Sequence, residues 1–108
     1  MVGAAMAASF IDSVVRVAVI DPAGFDHALS SDDYDLRVSA ITPASQRLLK
    51  ALNVWSDITD TRVAPYHDMH VWQHGTDAEI HFDSASIGAL DLGYIVENRV
   101  IQHCLHQR

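Results

Sequence analysis

Cysteine is almost absent from this 108-residue chain: Cys104 stands alone, so no internal disulfide can form, and its place in an apolar helical pattern fits a reduced, cytoplasmic setting. Basic residues are scarce as well. Seven Lys and Arg against fourteen Asp and Glu leave a net charge of -7, which opposes phosphate neutralisation and argues against a nucleic-acid partner. Long apolar runs are missing too. The stretch from Met1 to Ile11 has no basic leader and is broken by Asp12, so it suits neither a membrane-spanning helix nor a secretory signal. There is no P-loop, nucleophile elbow or Cys pair. Aromatics make up 7% of the chain, and Trp55, Trp72 and Phe82 read as core or interface residues rather than a stacking platform.

What is present suits one small globular domain, 49% hydrophobic and 19% charged. Gly3 to Ser13 is rich in Ala and reads as a helix able to lie close to a sheet. Val14 to Ile20 is β-branched and nearly continuously apolar, as in a strand buried on both faces of a parallel sheet, and it ends at Asp21-Pro22. Ala23 to Asp35, with four Asp and little periodicity, reads as a mobile surface loop. Leu36 to Ile41 is strand-like, Thr42 is placed to cap a helix, and Pro43 fits its first position. Leu48, Leu49 and Leu52 form its apolar stripe, and Asn53 suits the left-handed exit, after which Val54 and Trp55 fold back. "YHDMHVWQH" and "AEIHFD", separated by Gly75-Thr76-Asp77, suggest an antiparallel hairpin with Ile80 and Phe82 inward. Asp91-Leu92-Gly93 is a turn, Tyr94 to Val96 a short strand, and Asn98 to His106 a helix with Val100, Ile101, Cys104 and Leu105 on its apolar face.

Several residues carry chemistry. Gly3, eighteen positions before Asp21, matches the last glycine of G-x-G-x-x-G, with Asp21 at the end of the following strand where a carboxylate accepts ribose hydroxyls. The same pair also fits a helix and strand with no ligand. The Arg37 guanidinium suits a diphosphate or flavin, or else a surface ion pair with Asp33 or Asp35. Seven histidines raise the question of a metal, but on a strand His70 and His74 share a face with Trp72 while His67 points away, and no Cys or carboxylate pattern completes a zinc site. No metal is expected. His103 and His106 fit a helix C-terminus, where imidazoles cap carbonyls.

Taken together, "MVGAAMA", "VRVAVID", "LRVSAITPASQRLLKALNVW", "YHDMHVW", "IHFD" and "LGYIVENRVIQHCL" resemble the N-terminal region of the flavin-dependent hydroxylases of ubiquinone biosynthesis, the UbiH/UbiF/VisC group of para-hydroxybenzoate hydroxylase-type monooxygenases. The resemblance implies an α/β fold: part of a Rossmann-like FAD-binding domain over residues 1–108, without its first strand and first two loop glycines, plus an antiparallel hairpin from the substrate-covering region. It implies FAD as cofactor, NAD(P)H as reductant, O2, and hydroxylation of a polyprenylated phenol or benzoquinol. Carried over by position, Gly3, Asp21, Arg37 and Asn98 are the cofactor-binding residues, with Ser39 a weaker candidate; no catalytic residue is assigned. Asn53 stands where relatives often have Gly. Such a fragment is expected to be inactive alone, cytoplasmic, and open to peripheral contact with the inner membrane or with a ubiquinone-biosynthesis complex. Two alternatives remain: half of a nicotinamide-linked dehydrogenase, which the hairpin and the R-x-S-A-I block oppose, and a non-catalytic nucleotide-binding or interaction module left by a gene remnant.

Overall fold

Thr42 takes an extended conformation (φ -72°, ψ 161°) and its hydroxyl accepts the Ser45 N–H at 3.4 Å, so helix α2 (Pro43–Ala51) starts where capping chemistry dictates, with Pro at its first position. Asn53, at φ 57°, is the one non-glycine residue with positive φ among those described, and it turns the chain out of the helix. This computed structural model describes residues 1–22, 29 and 33–108; of the loop expected over Ala23–Asp35, residues 23–28 and 30–32 lie outside the described residues.

Past Asn53 the chain does more than fold back. Val54 and Trp55 open a short helix, α3 (Trp55–Thr61), whose Trp55 and Ile58 are buried, and β2 (Ala64–Tyr66) follows. Neither element is visible as a periodicity. The main sheet is antiparallel with order β1–β5–β2, where β1 is Val38–Ile41 and β5 is Gly93–Glu97. Val38 faces Glu97 and Ile41 faces Tyr94 on one side of β5; Tyr66 faces Gly93 on the other. Gly93 is needed there. At φ 151°, a Cβ would strike the Ile41 carbonyl oxygen and crowd the Tyr66 ring.

Helix α4 (Asn98–Gln107) follows β5 directly and supplies Val100, Ile101, Cys104 and Leu105 to the core, the face its sequence pattern gives. These residues cluster with Leu49, Leu52, Val54, Trp55 and Ile58, and with Ile41 and Val96 from the sheet. Leu48, expected in the same stripe, is 54% exposed, because the core formed with α3 lies on the Leu49–Leu52 side. Burial pushes the Cys104 thiol above its ordinary pKa, which keeps it protonated and unreactive. Helix α1 (Val2–Ala8) packs on α4 through Ala4 and is shorter than the helix expected to Ser13.

Two expectations are corrected here. The run Val14–Ile20 is neither strand nor buried: it is irregular and exposed along its length, with Val14 fully so. Its composition favours a strand, but a strand exists only when a neighbour completes its ladder, and no parallel partner lies beside it among the described residues. The hairpin forms as expected, from β3 (Asp68–Trp72) and β4 (Glu79–Asp83), yet Ile80 and Phe82 are 58% and 44% exposed rather than inward, because the pair forms a separate two-stranded sheet. These uncovered segments help explain a radius of gyration of 16.7 Å, against about 13 Å for a compact chain of this length.

The burial pattern makes a stability prediction. Ile58→Ala, which empties a fully buried site, is expected to lower unfolding free energy by roughly 2–5 kcal/mol. Val71→Ala on the exposed hairpin should stay within about 0.5 kcal/mol in the same urea titration.

Candidate functional site

The end of β5 and the start of α4 form a polar corner against the beginning of β1. The Asn98 N–H donates to the Arg37 carbonyl at 2.9 Å, and the Ser39 hydroxyl donates to Asn98 Oδ1 at 2.5 Å. Arg37 N–H in turn donates to Asp35 Oδ1 at 3.0 Å. The Asp35 carboxylate therefore takes the backbone of Arg37 rather than its guanidinium. The Arg37 side chain is exposed, and among the described residues no ion pair engages it. Three of the residues singled out by resemblance, Arg37, Ser39 and Asn98, are thus joined by direct bonds.

Gly3 stands elsewhere. It lies on α1, which meets the far part of α4 near Leu105, seven residues beyond Asn98 and so roughly 10 Å along the helix. A Cβ on Gly3 would meet nothing within 4 Å, so no close packing engages it. Asp21 is exposed where the irregular 14–20 run ends. Between α1, that run and α4 lies an open apolar cleft of about 370 Å³ lined by Ala4, Ala8, Phe10, Val15, Val19 and Leu105, away from the polar corner.

Sequence reasoning missed Glu97. It is a carboxylate only 5% exposed, and one of its oxygens accepts the Asp35 N–H at 2.7 Å and Arg99 Nε at 2.8 Å. The other lies 2.7 Å from Arg62 Nε, close enough for an ion pair although poorly aligned for a hydrogen bond. Both arginines also donate Nη2 to the Asp33 carbonyl, and Arg62 stacks on the Tyr34 ring at 4.3 Å. Burial alone would raise the Glu97 pKa; the Asp35 and Arg99 bonds and the charges of Arg62 and Arg99 outweigh it and hold the carboxyl below its ordinary 4.5. The only hint in the sequence is an acid two residues before Arg99; its partners at 35 and 62 are too distant to read.

On the hairpin, His70 faces His81 across the strands with rings 5.9 Å apart. His70 pairs with Glu79 and His81 with Asp68, each at 3.1 Å, and Trp72 lies beside His70 at 5.5 Å. No group of three His, Cys, Asp or Glu among the described residues is placed to hold a metal ion. No helix among them is long and apolar enough to cross a membrane.

No family model matches the chain. It is similar over nearly its whole length to curated relatives: 38% identical over 107 residues to 3-demethoxyubiquinol 3-hydroxylase of Escherichia coli, covering 99% of this chain and 27% of that protein. It is 37% identical over 111 residues to the human mitochondrial ubiquinone biosynthesis monooxygenase COQ6, covering 97% of the chain and 23% of the relative. It is 35% identical over 109 residues to ubiquinone hydroxylase UbiL of Rhodospirillum rubrum, covering all of the chain and 24% of the relative. The chain thus spans about a quarter of the length of these relatives.

Because the folded Glu97 carboxyl ionises below its unfolded value, its stabilising contribution is complete above about pH 4.5 and disappears as pH falls through the lower folded value. Glu97→Gln should remove that part of the acid dependence; an unchanged profile of urea midpoint between pH 5 and 3 would contradict the pairing.

Proposed function

We propose that this chain, whose homologues are ubiquinone-biosynthesis hydroxylases of the UbiH/UbiF/COQ6 type, is part of the FAD-binding domain of such an enzyme, a Rossmann-like domain to which residues 1–108 contribute. The observation that carries the reading is identity of 35–38% across essentially the entire chain to three hydroxylases from distant organisms. The substrate class is a polyprenylated phenol or quinol. The reductant is NAD(P)H and the oxidant O2.

The donor set present fits a flavin dinucleotide in kind. The exposed guanidinium of Arg37, which no described residue pairs, and the amide of Asn98 supply a cation and hydrogen-bonding groups of the sort a diphosphate takes, and the exposed Asp21 carboxylate is an acceptor for ribose hydroxyls. Arg37, Asn98 and Asp21 would hold the cofactor, with Gly3 as the fourth residue carried over; Ser39 orients the Asn98 amide by occupying its oxygen, which leaves the nitrogen free to donate. When bound, the flavin supplies the oxygen chemistry, and the residues of this chain bind and orient it.

The test is a chimera in which this chain replaces the matched quarter of E. coli 3-demethoxyubiquinol 3-hydroxylase. A yellow protein that retains flavin and hydroxylates its quinol is expected, and Arg37→Gln in that background should weaken flavin retention about tenfold, roughly the 1.4 kcal/mol of one charge-assisted contact. A folded but colourless chimera would sink the reading and leave an interaction module.

A further inference from the structure

Residues 33–35 belong to no helix or strand, yet each of the three is tied to one cluster. The Asp33 carbonyl accepts from both Arg62 and Arg99, the Tyr34 ring lies under Arg62, and the Asp35 N–H donates to Glu97. Glu97 in turn faces Val38, the residue after Arg37, across the β1–β5 ladder. We infer that Glu97 is a positioning residue for Arg37: by gathering Arg62, Arg99 and the Asp35 N–H it fixes the stretch of backbone that carries Arg37, whose carbonyl accepts the Asn98 N–H.

This inference rests on the flavin-site reading for the role of Arg37. A buried carboxylate between two arginines is a weak source of net stability, since apolar residues of the same volume often do as well. What an apolar residue does not do is accept hydrogen bonds in fixed directions. Here those bonds hold irregular backbone beside a charged group that must be ready before its ligand arrives, which is where preorganisation raises affinity.

The experiment is a double-mutant cycle on the 108-residue chain, with FAD affinity read by quenching of its fluorescence and amide exchange read residue by residue. Glu97→Gln is expected to weaken FAD binding about tenfold when Arg37 is present and to have no further effect once Arg37→Gln is in place. Equal losses in both backgrounds overturn the inference, because a general loss of structure does not depend on Arg37. In the same variant the Asp35 and Asn98 amides should exchange at least about tenfold faster, while the Ile101 amide stays unchanged. If the unaltered chain alone takes up no FAD, the flavin reading is decided by the chimera and exchange alone decides the positioning: faster exchange at Asp35 and Asn98 upholds it and unchanged exchange overturns it. Should Glu97→Gln not fold, Arg99→Met, which keeps the Arg62 pair, enters the same cycle with a smaller expected loss of about threefold, and no loss overturns the inference.

Discussion

One buried negative charge sets the arrangement of the polar half of this protein. Glu97 ends the central strand and abuts the first residue of α4, so whatever it holds is referenced to both the sheet and the helix. It holds Arg62, just past α3, and Arg99, in the first turn of α4, and through them the backbone leading into β1. A charge with so little water around it tolerates few arrangements of its partners. The apolar core, by contrast, is built from Leu, Ile and Val whose contacts are not directional, and it fixes the distance between layers rather than the path of any loop.

The two halves divide the work. The core formed by α2, α3, α4 and the sheet makes a rigid frame, and the polar corner of Arg37, Ser39 and Asn98 is mounted on it where strand gives way to helix. Relatives that share this stretch are hydroxylases and monooxygenases of ubiquinone biosynthesis, about four times as long. On the reading proposed above, a frame that carries an arginine and an amide is what this chain would contribute to such a protein.

Local chemistry was legible and long-range chemistry was not. Thr42, Pro43 and Asn53 mark the ends of α2 because a cap, a missing N–H and a left-handed turn act within four residues. The apolar face of α4 and the hairpin around Gly75 were equally plain, being periodicities of 3.6 and 2. Val14–Ile20 shows the limit: its residues carry a strong preference for a strand, but pairing is a property of two segments, and one segment cannot supply both sides. Helix α3 escaped notice since its seven residues hold only Trp55 and Ile58 on the core side, too few to form a repeat. Glu97 was missed for a related reason, its partners lying 35 and 62 residues away. In the candidate site, Arg37 and Asn98 were named from resemblance, whereas the bonds that bring them together depend on the register of β1 against β5.

That the hairpin pairs His70 with His81 has a geometric result of its own. With this register Met69, Val71, Ile80 and Phe82 all project from one side of the ribbon, and the imidazoles and carboxylates from the other. A slip of one residue would exchange the two sides of one strand and set oily groups against acids. The diagonal bonds between imidazole and carboxylate therefore act as a ratchet tooth for the ribbon: they favour this register, and with it they decide which side chains any layer meeting the oily side will find.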